Sequence, residues 1–451
     1  MVGVTLSRWT MSYFALALVA LVGAECLMAA GYGFPAAAIE APETLVLVHV
    51  VAIGWLSLLM CGALFQFVPV IVARPIYSNS LPLPTLVCLV IGLAALLFGF
   101  LQMAEQVAVD LPLFPVAGGL LGTGFAMALW NLARTMWAPR PLPLPARFVM
   151  VGLFSVGVTA ALGIVFTLVL GGATTCSHFL DVTAVGVPIH VIAGLGGWLT
   201  FTAMGVSYRL LAMFMLAPEF DGASTRAVWH LGTAALMTAI LGGVAAICVG
   251  GSVTVILSTA GLLGFGGLII YGRDILRLYR ARKRRVIELN SRMAAFAFAN
   301  LAGAVTLTIV LLCLGELVRH AGAVIFLVSF GWLSGLGLAK LYKIVAFLTW
   351  LECYGPVLGK MATPRVQDLV VEPRAVKWFL LYFVAVWCAT ASLLLSFPLA
   401  FRSVASVMVI ATSGIIVQLV RARRLADVKA TLRLPNGVPR PPLLFSLAQH
   451  A

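Results

Sequence analysis

Twelve stretches of this chain are each long and apolar enough to cross a lipid bilayer, and they take up nearly all of its 451 residues. A span needs about 20 mostly apolar residues to traverse the hydrocarbon core. Such stretches lie near 11–31, 43–72, 83–102, 111–133, 146–170, 183–216, 225–250, 253–278, 292–316, 321–350, 376–398 and 400–420. Inside a bilayer no water is available to the backbone, and a helix satisfies its own N–H and C=O groups within one segment. The sequence therefore predicts an all-α, polytopic integral membrane protein of about 12 transmembrane helices. Composition agrees, with 62% hydrophobic and only 10% charged residues. Soluble domains carry about a quarter charged residues, so there is too little polar surface here to cover a water-soluble globule. The first apolar run lacks a small-residue cleavage site and reads as a retained first span.

The formal net charge of +14 is distributed as a topology signal. Arg74 follows span 2, and Arg134, Arg140 and Arg147 flank the loop after span 4. Arg280, Arg282, Lys283, Arg284 and Arg285 follow span 8, and Lys360, Arg365, Arg374 and Lys377 follow span 10. Arg421, Arg423 and Arg424 follow span 12. All these loops lie on one side, which the positive-inside rule makes cytoplasmic, together with both termini. The opposite loops carry Glu40, Glu43, Glu105, Asp110 and Asp181. The expected partner is the lipid bilayer of a cell membrane, the bacterial inner membrane in particular. Cations set between apolar segments do not form a nucleic-acid surface.

The eight cysteines contain no CxxC pair. Cys26, Cys61, Cys88, Cys248, Cys313 and Cys388 lie in apolar segments, where a thiol behaves as a small hydrophobe. The stretch 135–147 is a Pro-rich connector that cannot continue a helix. We expect one transmembrane domain over 1–425 and a short cytoplasmic tail over 426–451, polar, Pro-containing and poorly ordered.

The chain repeats itself. GWLSLLMCGALFQ (54–66), GWLTFTAMGVSYR (197–209) and GWLSGLGLAKLYK (331–343) occupy spans 2, 6 and 10. Trp55, Trp198 and Trp332 align, as do Phe65, Tyr208 and Tyr342, followed by Gln66, Arg209 and Lys343. GLLGTG (119–124) in span 4 and GLLGFG (261–266) in span 8 give nearly the same period. The spacing predicts three repeat units of four helices each, about 10–140, 146–285 and 290–425. Units with an even number of spans enter from the same side, so three parallel copies imply a pseudo-three-fold axis along the membrane normal. Small residues at Gly62, Gly205 and Ala339 are expected to let these helices approach closely.

Twelve helices in three four-helix arcs, with the shared motif on helices 2, 6 and 10, resemble subunit I of the haem-copper oxidases, including nitric oxide reductases. The resemblance is architectural and covers about 10–425. In that family helices 2, 6 and 10 carry metal ligands. It implies that His49, early in span 2, matches the low-spin haem ligand. It also implies that His190, early in span 6, stands on the helix that supplies a copper ligand. His320 lies twelve residues before Trp332 on span 10. The chain departs from the family in having only His230 on span 7, where a His-His pair is needed, and no His-x-His on span 10. Six histidines, one of them His450, cannot supply the complete set, so oxygen or nitric oxide reduction is not expected. The resemblance leaves room for one haem b or one copper ion near the outer side.

Other candidates compete with plainer roles. His49 and His190 are either ligands or imidazoles bonded to a neighbouring helix. Cys176, His178 and Asp181 cluster in the outer loop TTCSHFLD, where thiolate and imidazole suit copper or zinc, or simply face solvent. Glu316 and Arg319 are spaced to pair on one helical face. Glu25 lies deeper, as a proton carrier, a counter-charge or a partner to His49. Arg209 and Lys343 are expected to snorkel at the inner interface, with Lys340 and Glu352 in the same zone. Met213 and Met215 are either thioether donors or packing.

Three functions follow. One is a haem- or copper-binding protein serving electron transfer, metal handling or assembly of respiratory complexes, with redox or respiratory-complex subunits as partners. Another is a multi-pass transporter or permease of a small solute or metal ion. The last is a scaffold that binds a partner subunit. No Walker loop, GxSxG or HExxH is present, so ATP-driven and hydrolytic chemistry have no support.

Overall fold

The computed structural model describes residues 7–108, 111–137, 141–219, 221–434 and 441–446. Asp110, Arg140 and His450 lie outside the described residues. Among those described there is no strand, and twelve helices are long and apolar enough to cross a membrane. They are α1 (Thr10–Ala30), α2 (Pro42–Val72), α3 (Pro82–Met103), α4 (Leu113–Trp137), α5 (Leu144–Leu170) and α6 (Val187–Met215). The series continues with α7 (Ala223–Cys248), α8 (Val253–Arg280), α9 (Leu289–Cys313), α10 (Ala321–Val357), α11 (Glu372–Leu394) and α12 (Pro398–Arg423). Proline stands in the first turn of α2, α3, α6, α11 and α12, where its missing N–H would have no intrahelical partner anyway. Only α10 runs well past the expected end. Its last turns carry Glu352, which halts an apolar run in sequence but is neutralised by an ion pair in the fold.

Packing divides the chain into two compact units. The first contains Met1–Gln66 and Ile287–Ala451, and the second Phe67–Val286. The boundary cuts α2 after Gln66, so it does not follow the repeat boundaries read from the motifs. In the first unit α1 packs on α12 and on α2, α9 on α10, α11 on α12, and α12 on α10. Its centre is α10, with 72% of its most apolar window buried. In the second unit α3 packs on α4, α4 on α5, α5 on α6 and α7 on α8. Only 11% of the corresponding window of α8 is buried. Its outward Val255, Leu262 and Ile269 are exposed, as a bilayer-facing helix requires.

Two of the small residues hold their helices close to neighbours that lack the motif. A Cβ at Gly62 would stand 2.6 Å from Cβ of Tyr13 on α1. A Cβ at Gly205 would collide with Phe148 on α5, and Ala339 is fully buried. The cysteines divide: Cys61 is buried, whereas Cys26, Cys248, Cys313 and Cys388 are exposed on outward helix faces and all are free.

The described part of the tail makes specific contacts with the helices. Val428 is buried with Ala346, Leu369 and Ala422. Arg423 donates from Nε to Pro442 O at 2.8 Å and from Nη2 to Phe445 O at 3.0 Å. Ser446 N donates to Arg8 O at 2.9 Å, and the Arg8 guanidinium lies over the Phe445 ring. Arg421 and Arg374 both pair with Asp427, just beyond α12, and hold its carboxyl below the usual carboxylate range. A polar, Pro-containing composition hid these contacts, because they are made by backbone carbonyls that any sequence supplies.

Candidate functional site

The GWL[S/T] motif marks a change of winding in each copy. Residues Val50–Ser57 of α2, Ile192–Phe201 of α6 and Leu327–Ser334 of α10 are π-helical. In an α-helix a Ser or Thr hydroxyl reaches the carbonyl four residues back, as Thr135, Ser155 and Thr308 do here. In the π segments the reach is five. Ser57 Oγ donates to Ala52 O, and Ser334 Oγ to Ser329 O, each at 2.7 Å. π segments are rare and concentrate at functional sites. A fourth, Thr238–Gly242, lies in α7 and carries no motif.

In the first unit the motif anchors a buried polar seam. Trp55 Nε1 donates to Ser334 Oγ at 2.7 Å, joining the α2 and α10 copies. Tyr382 on α11 donates to Phe330 O, inside the α10 π segment, at 2.9 Å. Thr412 on α12 donates to Glu25 on α1 at 2.8 Å. Tyr382 lies within electrostatic reach of Glu25. Trp55, Ser334, Tyr382, Thr412 and Glu25 are all essentially inaccessible to solvent. The second carboxyl oxygen of Glu25 has no hydrogen-bond partner among the described residues.

His49 stands immediately before the α2 π segment and is half-buried. Its Nδ1 lies 2.7 Å from Leu45 O, one turn back. When Nδ1–H donates to that carbonyl, the lone pair of the neutral ring is on Nε2. His190 stands just before the α6 π segment, half-buried, with its ring 5.3 Å from that of Phe166. His190 lies eight residues before its Trp and His49 six, and the π segments are ten and eight residues long. His49 belongs to the first unit and His190 to the second. His320 is half-buried at the start of α10.

Cys176 and His178 are exposed, at the beginning of a short helix over Ser177–Val185, and Asp181 is exposed on the same helix. Among the described residues no three or more His, Cys, Asp and Glu side chains gather as a metal-binding group. Glu316 and Arg319 pair at 3.7 Å, as their spacing predicted. Met213 is exposed and Met215 buried, so the two thioethers occupy different environments.

The aligned polar triplet splits. Gln66 is buried and accepts the N–H of Ser7 at 3.1 Å. Arg209 pairs with the exposed Glu219, as an interfacial cation should. Lys343 does not snorkel: it is mostly buried in an ion pair with Glu288 at 2.7 Å. Lys340 is also buried, and Glu352 pairs internally with Arg423 at 2.6 Å. These corrections share one cause. α10 is surrounded by protein along most of its length, so its charged side chains lie inside the protein rather than at an interface.

Sequence reasoning missed Asp274 on α8. Its carboxylate is fully buried. It accepts from Tyr208 Oη at 3.0 Å and Thr225 Oγ1 at 3.4 Å, with Arg277 at 3.7 Å. The signal was available as a lone acid three residues before an Arg at the end of an apolar run.

No protein-family model matches the chain, and no curated protein matches it.

Proposed function

We propose that the chain is a membrane protein on a haem-copper-oxidase-like scaffold that holds haem b through His49 and serves electron transfer, metal handling or respiratory-complex assembly. The observation that carries this reading is the His49 Nδ1–Leu45 carbonyl contact. It fixes the ring orientation and the tautomer, the role that outer-shell partners play for ligating histidines. One imidazole is sufficient as an axial ligand to haem. Copper fits less well, because it needs several soft or imidazole donors and no such group of three gathers among the described residues. Bound haem would supply one-electron chemistry. The chain's own residues would orient the ligand and exclude water around it. The three motif-bearing helices are read as the pseudo-three-fold core, with both termini cytoplasmic and the bilayer a bacterial inner membrane.

The protein, produced with haem and copper supplied, is expected to show a Soret band that shifts on dithionite reduction. Metal analysis of the same sample should find iron. The band should be lost in His49→Ala and retained in His178→Ala. A colourless, metal-free protein would overturn the haem reading.

A second reading, a permease for a small solute or metal ion, is favoured by Glu25. Ionisable side chains buried in spans mark ion and proton pathways, and this one has an unbonded oxygen. Proteoliposomes challenged with divalent metal ions should then show proton flux by an interior dye. That flux should fall at least about tenfold in Glu25→Gln, since the amide cannot exchange a proton. Equal flux in wild type and variant would remove this reading.

A further inference from the structure

We propose that a groove between α5 and α7, in the second unit, binds an anionic phospholipid. The groove has a volume of about 260 Å³ and is lined by Arg147, Met150, Phe154, Trp229, Thr233 and Met237 among others. Phe154 is exposed and the other five are half-buried, so it opens on the outward surface of the unit.

The accessible lining of the groove is apolar, and Arg147 stands at one end of it. Arg147 lies in the first turn of α5, Met150 one turn further and Phe154 two. At 1.5 Å per residue, Arg147 and Phe154 are separated by about 10 Å along the axis. Facing them, Trp229 and Thr233 lie one turn apart on α7, and Met237 follows one turn later. A phospholipid has the same polarity over the same direction, with a charged phosphate at the level of the first turns and acyl chains running inward.

Charge selects the headgroup. Arg147 donates Nε to Leu142 O at 3.0 Å, which leaves its two Nη groups without a partner among the described residues. Arg226, one turn before Trp229, is exposed and likewise forms no ion pair there. The acids of this region are otherwise placed: Glu219 pairs with Arg209, Asp274 with Tyr208 and Arg277, and Asp221 is exposed in the loop before α7. The same end of the unit carries Arg134 and the run Arg280–Arg285. Basic pockets between spans recognise anionic headgroups through this complementarity.

The experiment is delipidation of the full chain in neutral detergent, followed by add-back of phosphatidylglycerol or phosphatidylcholine. Bound lipid is counted by native mass spectrometry. Wild type is expected to retain phosphatidylglycerol about fivefold over phosphatidylcholine, the effect of one cation at a lipid surface. Arg147→Gln should bring the ratio to near one, while Arg319→Gln, in the first unit, leaves it unchanged. Val151→Trp, which fills the groove and keeps the charge, should lower retention of both lipids. Equal retention of the two lipids by wild type would overturn the proposal, as would an unchanged ratio in Arg147→Gln. Retention of glycerol phosphate as tightly as the lipid would show a free-phosphate site instead and overturn it as well.

Discussion

Arg423→Met is expected to destabilise the first unit by about 3–5 kcal/mol, because it leaves Glu352 buried and unpaired. The two side chains are 3% and 5% exposed and 2.6 Å apart, so neither can turn to water when the other is removed. Arg423 also contacts Thr349 Oγ1 at 3.3 Å and holds Pro442 and Phe445 by their carbonyls. The same substitution should therefore release the described tail over 441–446 to proteolysis. Thermal unfolding in detergent reads the first effect and limited proteolysis the second. The double variant Arg423→Met/Glu352→Leu separates charge from packing. Removing both charges is neutral to stabilising when volume is kept, so it should recover most of the lost stability while the tail stays cleavable. A single variant as stable as wild type would show that the pair is not buried in the folded protein.

Gly205→Ala and Gly261→Ala should change stability in opposite directions although the substitution is the same. At Gly205 the added Cβ meets Phe148 and lies 3.0 Å from Pro145 O. One obstacle is the root of a buried side chain and the other is backbone, so neither can give way. The expected loss is about 1–3 kcal/mol, the ordinary range for overpacking. At Gly261 no atom lies within 4 Å of the new Cβ. Only the helix preference of Ala over Gly remains there, about 1 kcal/mol in favour. Unfolding midpoints of the two variants in one detergent test the pair. A loss at both positions would mean that the second repeat of the GLLG motif packs against something these contacts omit.

The twelve spans were legible because a bilayer imposes length and hydropathy on each helix independently of its neighbours. The shared motif was legible too, in Trp55, Trp198 and Trp332 of spans 2, 6 and 10. Its local meaning was not. Nothing in G-W-L-S states that the backbone widens to π winding, since that depends on where carbonyls find donors. Charged positions on α10 were misread for a related reason. Lys343 and Glu352 look interfacial by depth, but depth says nothing about which helix ends up surrounded. The candidate ligands were legible by residue type, while the Leu45 carbonyl that orients His49 carries no side-chain signature. Asp274 escaped because it sits at the polar end of an otherwise apolar run.

The first unit is assembled from the two ends of the chain, and this sets an order of events during synthesis. Thr412 follows its partner Glu25 by 387 residues, and Leu444 follows Ser12 by 432. At about 5–20 residues per second, Glu25 waits roughly 20–80 s in the membrane before α12 arrives to bond it. The second unit is continuous, from Phe67 to Val286, and all its helices leave the ribosome within that interval. α1 and the start of α2 therefore remain an unfinished hairpin while the middle of the chain folds, and α12 closes the first unit.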